Sequence, residues 1–411
     1  MQIVKVIKGN GISKTNFSSF GQYYNDYTIM DTVKVRGLLA DIANEQNYED
    51  YSIEITPISS GGANYTSVLF TAKISAPNKQ DLELFGKVAS INAQMREETP
   101  ILFYDIERFA YTELAKIYEN IERKHGIPKE DRLVLSKYYG SSAVTYEETI
   151  VFENLSAKGF TVHDRMKSVD WQYASKAIEV LAKFHALSMC YAEEYPESFK
   201  KHQNKFSLDS MCTAYSKGLE MFLPFSTAVV KDENKERYKR FFDNVDLKQL
   251  FQPVGKPVFV HGDYRPSNLM HRNNEDSSLD LIPVDLQTLL PGSGVLDLFY
   301  FIFTATDGAF RKQYYNNLID HYYATLSRML RAYGLNPDKA YSREDFDNEL
   351  KERIHFGLVA TALTLPLVTV EAEDAPDAAD PSFNDLQMKT GKTLPERLND
   401  IVDEFVLRDL L

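Results

Sequence analysis

The sequence predicts an α+β protein with two lobes: a small N-terminal antiparallel sheet with one main helix, and a larger, mainly helical C-terminal lobe. Strand-like segments, in which apolar and polar residues alternate, are concentrated before residue 153. After residue 170, apolar residues recur mostly at helical spacing, and two short apolar runs near residues 258 and 282 interrupt this pattern. We expect the N-terminal lobe, with a leader segment, to occupy residues 1–152 and the C-terminal lobe residues 153–411.

Composition limits the class of protein. The chain has 411 residues, 44% of them hydrophobic and 26% charged, and can bury a large core. Its formal net charge of −13 weighs against a nucleic-acid partner, because phosphate binding requires a basic surface. Two cysteines suit a reducing compartment, and the longest apolar stretch, 356–370, is too short to span a bilayer. We therefore expect a cytoplasmic protein without a membrane span. Composition leaves the oligomeric state undetermined.

The first two predicted strands, 51–55 and 68–74, flank a turn of small residues at 59–67. Backbone N–H groups exposed by such a turn can bind phosphate oxygens, although an ordinary Gly-Gly hairpin has the same local pattern. A third strand, 81–88, carries Lys87 near its end. In kinase-like folds a lysine on this strand contacts the α- and β-phosphates and pairs with a glutamate of the next helix.

Two other lysines compete with Lys87 for this role, but Lys73 lies on the earlier strand and Lys79 in a turn. The partner helix is predicted from about residue 101 to residue 124, where apolar residues recur every three or four positions. It offers two candidate partners for Lys87, Glu107 and Glu113. Spacing alone does not decide between them.

The most informative stretch is His261-Gly262-Asp263 with Asn268 five residues later, between two short apolar runs. Transfer of a phosphoryl group to a hydroxyl requires an Asp that accepts the hydroxyl proton and an Asn that reaches a magnesium ion. A further Asp must link the metal to the nucleotide phosphates. Asp263, Asn268 and Asp285 match these three roles in chain order.

The pattern His-Gly-Asp-x-x-x-x-Asn-Leu-Met, followed by Val-Asp-x-Gln and a Gly-rich turn before Leu-Asp-Leu, resembles the ecdysteroid kinase-like family. This family is part of the wider aminoglycoside phosphotransferase and choline kinase group. The resemblance implies a two-lobed protein-kinase-like fold, with Asp263 as the base and Asn268 and Asp285 as magnesium ligands.

Other segments extend the resemblance. Glu107-x-x-x-Tyr-x-x-Leu is similar to the family's helix, which favours Glu107 over Glu113 as the partner of Lys87. The segment 151–155 resembles the hinge whose backbone contacts adenine, and implies that Glu153 and Leu155 bind nucleotide. The small-residue turn resembles the family's Gly-x-Asn-Tyr-x-Ser segment, and implies nucleotide contacts from Gly61, Gly62, Asn64 and Ser67.

Four further residues near these motifs carry expectations. Arg265 departs from the apolar or aromatic residues common in the family, and either offers charge to the phosphoryl group or points to solvent. Pro283 requires its strand to be short or at an edge, because proline lacks a ladder donor. We expect His185 to be packed and hydrogen-bonded, and Asp297 to bind the catalytic loop from a helix start.

These observations predict ATP- and magnesium-dependent phosphorylation of a small-molecule hydroxyl. No long activation segment follows Asp285, which favours a small molecule over a protein as acceptor. Segments 211–225 and 299–310, rich in aromatic residues and methionine, favour a largely apolar alcohol such as an ecdysteroid. Two alternatives remain: a pseudokinase or ligand-binding protein without turnover, and a kinase for choline-like or aminoglycoside-like acceptors.

Overall fold

The structure, a computed structural model, describes residues 33–58, 67–90, 96, 102–370 and 391–411. In its N-terminal part, a helix α1 (Val33–Glu45) precedes five strands: β1 (Ser52–Ile58), β2 (Ser67–Ser75), β3 (Leu82–Ala89), β4 (Tyr138–Ser142) and β5 (Thr149–Glu153). The strands form one antiparallel sheet in the order β1-β2-β3-β5-β4. From sequence, the small residues at 140–142 suggest a turn between two strands, but they are part of β4, because Gly140, Ser141 and Ser142 pair with β5.

Alternating burial along the strands gives the sheet an apolar face that α1 covers. Phe70, Ala72 and Ile74 on β2 are almost fully buried, and they cluster with Leu39 and Ile42 of α1. Gly86 on β3 lies opposite Phe70, and a Cβ atom there would come within 2.2 Å of the Phe70 ring. Glycine at this position lets the ring pack directly against the strand backbone.

The helix between β3 and β4 is continuous from Phe103 to Lys124 but changes its winding. It consists of α2 (Phe103–Phe109), one π-helical turn (Ala110–Leu114) and α3 (Ala115–Lys124). Its Tyr111 ring packs against Phe152 of β5, with ring centroids 4.6 Å apart. This helix connects the sheet to the C-terminal core, since Tyr118 packs edge-on against Phe184.

The rest of the chain is mainly helical. Its helices are α4 (Trp171–Glu194), α5 (Pro196–Gln203), α6 (Leu208–Val229), α7 (Asp232–Asn244), α8 (Leu247–Phe251), α9 (Gly294–Ala305), α10 (Gly308–Ala332), α11 (Pro337–Ala340), α12 (Arg343–Arg353), α13 (His355–Val368) and α14 (Thr393–Leu407). Helix α9 is buried along its length, and α4, α12 and α13 pack against it. In the described ranges, no helix is both long and apolar enough to span a membrane.

Two short strand pairs lie between α8 and α9. Strand β6 (Val258–Val260) pairs with β9 (Leu290–Gly292), and β7 (Leu269–Asn273) pairs with β8 (Leu279–Pro283). Pro283 is the last residue of strand β8 in a two-stranded sheet, and a missing N–H donor is tolerated at this position. The β6–β7 and β8–β9 connections carry the predicted catalytic residues. The architecture is that of a two-lobed protein-kinase-like fold: an antiparallel N-terminal sheet with its helix, followed by a mainly helical lobe that carries these loops.

Candidate active site

Lys87 connects the two halves of the site. It lies on β3 with 6% of its surface exposed, and its Nζ is 2.6 Å from Glu107 Oε2 on α2 and 2.7 Å from Asp285 Oδ1. The two competing lysines are used elsewhere: Lys73 pairs with Asp81 at the surface, and Lys79 donates to the Gln46 and Asn47 carbonyls. The structure therefore brings Lys87 to the catalytic loops and keeps the other two away.

Burial controls the charges of this cluster. Burial opposes the charge on Lys87, but the carboxylates of Asp285 and Glu107 hold its pKa above the ordinary value. Burial also raises the pKa of Glu107 to about 7. For Asp285 the Lys87 ammonium outweighs the effect of burial, and the pKa of this carboxyl is lowered. Asp285 therefore stays ionised at neutral pH, the state in which a carboxylate can bind a metal ion.

The loop after β6 aims Asp263. Gly262 has φ +83°, and a Cβ atom there would lie 2.3 Å from the Thr288 carbonyl oxygen, so the loop requires glycine. Both carboxylate oxygens of Asp263 accept a hydrogen bond: Oδ1 from Arg265 Nε at 2.9 Å and Oδ2 from Asn268 Nδ2 at 2.8 Å. Arg265 does not point to solvent; only 15% of its side chain is exposed, and it turns back onto Asp263. These contacts fix the orientation of the carboxylate.

Asp297 fixes the backbone of the loop that carries Asp263. It is 1% exposed in the first turn of α9, and it accepts hydrogen bonds from the backbone N–H groups of His261 at 2.6 Å and Gly262 at 2.9 Å. His185, fully buried, lies between Asp297 Oδ2 at 3.2 Å and the Tyr322 hydroxyl at 2.7 Å. Both residues thus have the structural positions expected from the sequence.

Asn268 and Asp285 present oxygen atoms suited to a magnesium ion. Asn268 donates through Nδ2 to the backbone and side chain of Asp263, and within the described residues its Oδ1 makes no hydrogen bond. Asp285 Oδ2 accepts one hydrogen bond, from Gln287 Nε2 at 3.3 Å, and Oδ1 accepts one from the Lys87 ammonium. An amide oxygen and a carboxylate oxygen are hard donors of the kind that Mg²⁺ prefers. The residues present therefore fit this metal.

The backbone of Asp285 is itself unusual. The residue has φ +66° and ψ +55°, the left-handed conformation that non-glycine residues seldom adopt. Backbone strain of this kind concentrates at functional sites, where the surrounding structure enforces it. The conformation turns the chain sharply between β8 and the short helix at Leu286–Thr288.

The predicted hinge lies at the end of β5. Glu153 is tied to Lys137 through its backbone N–H and its Oε1. The Leu155 side chain is buried against Phe160, and its carbonyl accepts from Lys158 and Phe160. Its backbone N–H, in contrast, makes no hydrogen bond to any described residue. The expected contact of Leu155 with adenine stays a prediction.

The expected phosphate-binding turn is described only at its end. Ser67 begins β2, and its Oγ lies 2.6 Å from the Tyr104 hydroxyl of α2. The positions of Gly61, Gly62 and Asn64 lie outside the described residues. Their predicted contacts with nucleotide stay predictions.

A cavity of about 180 Å³ opens beside Asp263. From the two segments expected to surround the acceptor, 211–225 and 299–310, Met211, Tyr215 and Tyr300 line it. The others do not; Phe299 and Phe303, for example, are fully buried in the core of the helical lobe. Regular helical spacing cannot distinguish a core side chain from a pocket side chain, since both faces of a buried helix are apolar.

Sequence reasoning missed five lining residues: Arg165, Thr288, Thr364, Leu367 and Val368. The last three belong to α13, which the sequence predicts only as an apolar core segment. Thr288 had a usable signal, because it lies three residues after Asp285 on the same connection. Arg165 lies in a loop before α4, and its local sequence contains no sign of the cavity.

Comparison with known proteins gives one family match. A model of the ecdysteroid kinase-like family matches residues 61–335, about two thirds of the chain. A search of curated proteins found no match.

Two solved structures are similar in outline. The GDP complex of wild-type aminoglycoside 2′-phosphotransferase-IIIa covers 89% of this chain and 98% of its own, with 11% identity and a TM-score of 0.44. The aminoglycoside-3′-phosphotransferase of type VIII covers 79% of this chain and 98% of its own, with 13% identity and a TM-score of 0.37.

Proposed function

The chain belongs to the ecdysteroid kinase-like family, and on this premise we propose that it transfers the γ-phosphoryl group of ATP to a hydroxyl of a small molecule. Membership of the family supports small-molecule phosphotransferase activity in general. One observation carries the specific proposal. Lys87 on the sheet and Glu107 on its helix meet Asp285 of the helical lobe, next to the loop that holds Asp263 and Asn268.

In the proposed reaction the acceptor oxygen forms a bond to the γ-phosphorus, and the bond from this phosphorus to the β–γ bridging oxygen breaks. The hydroxyl proton passes to Asp263, whose carboxylate Arg265 and Asn268 hold in place. The products are a phosphate monoester and ADP. Lys87, fixed by Glu107, contacts the α- and β-phosphates, and Leu155 donates its backbone N–H to adenine. Magnesium held by Asn268 and Asp285 would neutralise charge on the phosphates.

The cavity favours an acceptor with a largely apolar body over a polycation. Asp263 is the single carboxylate among its lining residues, and Arg265 already pairs with it. Cationic aminoglycosides or choline require several carboxylates or an aromatic cage around the charge. Tyr215, Tyr300 and Met211 instead supply apolar surface. An alcohol with a largely apolar body, of which an ecdysteroid is one example, is therefore the proposed class.

Asp263→Asn tests the proposal. The variant keeps the shape of the side chain but lacks the proton acceptor, so turnover is expected to fall by about a hundredfold or more. ATP affinity, measured by calorimetry with magnesium, should change less than about threefold, because Asp263 has no assigned phosphate contact. The turnover assay is ADP release with a panel of ecdysteroids, other sterols, sugars, choline and aminoglycosides. A protein that binds Mg·ATP but releases no acceptor-dependent ADP would instead be a binding protein.

A further inference from the structure

Arg165 is a cation of the cavity that the proposed reaction does not use. It lies in the loop before α4, half-buried, and lines the same cavity as Asp263. Its Nη1 donates to the Val368 carbonyl at 2.6 Å and lies 3.9 Å from Met166 Sδ. Within the described ranges, the Arg165 side chain makes these two polar contacts, and neither partner carries a charge. Its Nε and Nη2 groups remain available.

The charges in the cavity do not balance. Two guanidinium groups, Arg165 and Arg265, face one carboxylate, Asp263, and Arg265 Nε is 2.9 Å from that carboxylate. Among the described residues that line the cavity, guanidinium groups therefore outnumber carboxylates, in a protein whose formal net charge is −13. A half-buried guanidinium without an anion has lost part of its hydration and gained no ion pair in return. An anionic ligand group supplies that ion pair.

The remaining walls limit what such a ligand can be. Met211, Leu367 and Val368 are apolar, and the Thr364 hydroxyl is already bonded to Tyr300 at 2.7 Å. A volume of about 180 Å³ is below the range of about 300–1,000 Å³ that encloses a drug-sized ligand. The cavity therefore accommodates the reacting part of an acceptor and one polar group near it. A guanidinium recognises a carboxylate through two parallel hydrogen bonds, for which Nε and Nη2 are the free pair.

We propose that the acceptor is a hydroxylated carboxylic acid with an apolar body: its hydroxyl meets Asp263 and its carboxylate binds Arg165. This rests on the phosphotransferase activity proposed above and specifies its substrate class. Arg165 binds and orients the acceptor and takes no part in proton or phosphoryl transfer. Discrimination against the uncharged analogue is expected because the methyl ester leaves the guanidinium unpaired.

The test compares three hydroxy acids, each with its methyl ester. 3-Hydroxydodecanoate, mandelate and 4-(hydroxymethyl)benzoate carry the hydroxyl close to the carboxylate on linear and aromatic apolar bodies. With the wild-type protein, kcat/KM for ADP release is expected to be about 10- to 100-fold higher for at least one acid than for its ester. A second measurement, calorimetric titration of the acids without nucleotide, reports binding independently of turnover.

Arg165→Gln and Arg165→Lys separate recognition from packing. In Arg165→Gln the acid-to-ester ratio of kcat/KM is expected to fall to about one, mainly through KM, because the carboxylate loses its partner. Arg165→Lys is expected to keep a higher ratio than Arg165→Gln, because lysine has the positive charge but cannot form the two parallel hydrogen bonds. Arg237→Gln is the matched control: Arg237 is exposed, and its side chain also donates to a backbone carbonyl, that of Leu411. A purely structural role for Arg165 would lower the melting temperature and leave the ratio unchanged.

The outcomes distinguish this inference from the proposed function. If the protein releases ADP with neutral alcohols and prefers no acid over its ester, the proposed carboxylate site is wrong and the kinase activity is supported. Acid binding that Arg165→Gln abolishes, without ADP release, supports the anion site and contradicts the kinase activity. If every acid fails to bind the wild-type protein, or if Arg165→Gln keeps the preference, the inference is wrong.

Discussion

At the scale of single residues, the site depends on one buried lysine with two carboxylate partners. Lys87 is 2.6 Å from Glu107 and 2.7 Å from Asp285, so its position is fixed from both sides. In the proposed reaction, a lysine held in this way would present its charge to the nucleotide phosphates without first having to be ordered. Lys73, 43% exposed in its side chain and paired with Asp81, has no comparable position.

Lys87→Met should therefore lower kcat/KM by about a hundredfold or more, because the phosphates lose a fixed positive charge. Steady-state ADP release with a saturating acceptor measures the effect. Lys73→Met is the matched control, and its kcat/KM should stay within about twofold, since a surface ion pair contributes little. Equal losses in the two variants would contradict the assignment of Lys87.

At the scale of elements, α9 orders the catalytic loop through its first turn. Asp297 accepts the N–H groups of His261 and Gly262, and these two residues immediately precede Asp263. The sequence predicted this contact from an Asp at a helix start. The partners of His185 could not be predicted, because Tyr322 lies more than a hundred residues further along the chain.

Asp297→Asn should lower both stability and turnover. An amide in this place directs an N–H group at a backbone N–H, which costs about 1–3 kcal/mol of unfolding free energy. The displaced loop should lower kcat by about a hundredfold. Denaturant unfolding and ADP release measure the two effects.

Tyr322→Phe is the control variant. It removes a partner of His185 but leaves the loop contacts, so stability should drop and kcat should stay unchanged. Equal kcat losses in both variants would show that Asp297 does not act through the loop.

Helix α3 carries a buried carboxyl that makes stability depend on pH. Glu122 is 3% exposed, and burial raises its pKa to about 7, although the Leu133 N–H donates to it at 2.7 Å. A carboxyl whose pKa is raised on folding binds its proton more tightly in the folded state. Its stabilising contribution is complete below its unfolded pKa of about 4.3 and is lost as the pH rises through about 7.

Glu122→Gln should therefore have a melting temperature close to that of the wild type at pH 5 and a higher one at pH 8, because the amide has no charge to bury. Glu119→Gln, on the same helix but 56% exposed, is expected to show no such difference between the two pH values. Thermal unfolding monitored by circular dichroism at both pH values provides the measurement. A constant offset at pH 5 and pH 8 would rule out titration of Glu122 as the cause.

At the scale of the whole molecule, the Lys87–Asp285 contact joins the sheet to the helical lobe across 198 residues of sequence. Nucleotide and magnesium would bind at this junction, so they should stabilise both lobes together. Ligand at about 100 times its Kd adds about 2.7 kcal/mol to the free energy of unfolding.

Mg·ATP should accordingly raise the melting temperature of the wild type and of Asp263→Asn, but not that of Asp285→Ala, which lacks a metal ligand. Differential scanning fluorimetry with Mg·ATP, with ATP plus EDTA, and without ligand tests this. ATP plus EDTA should give a smaller shift than Mg·ATP in the wild type. A full shift in Asp285→Ala would mean that Asp285 does not hold the metal.

The sequence by itself determined the local chemistry of this protein. The order Asp263, Asn268, Asp285, the strand lysine Lys87 and the helical character of the second lobe all follow from short patterns, because strand alternation, helical spacing and loop composition are local properties. The choice of Glu107 over Glu113 required resemblance to a family, since both glutamates lie on the same helix.

Only the tertiary structure decided which side chains line the cavity beside Asp263. Arg165, Met211 and Thr364 come from three distant segments, and their meeting depends on how the helices pack around α9. Phe299 and Phe303 have the same apolar character as Tyr300, yet they face the core. Hydrophobic burial is not directional and acts equally on core and pocket side chains. The sequence therefore specifies that these residues are buried, and the packing of the helices decides which of them line the cavity.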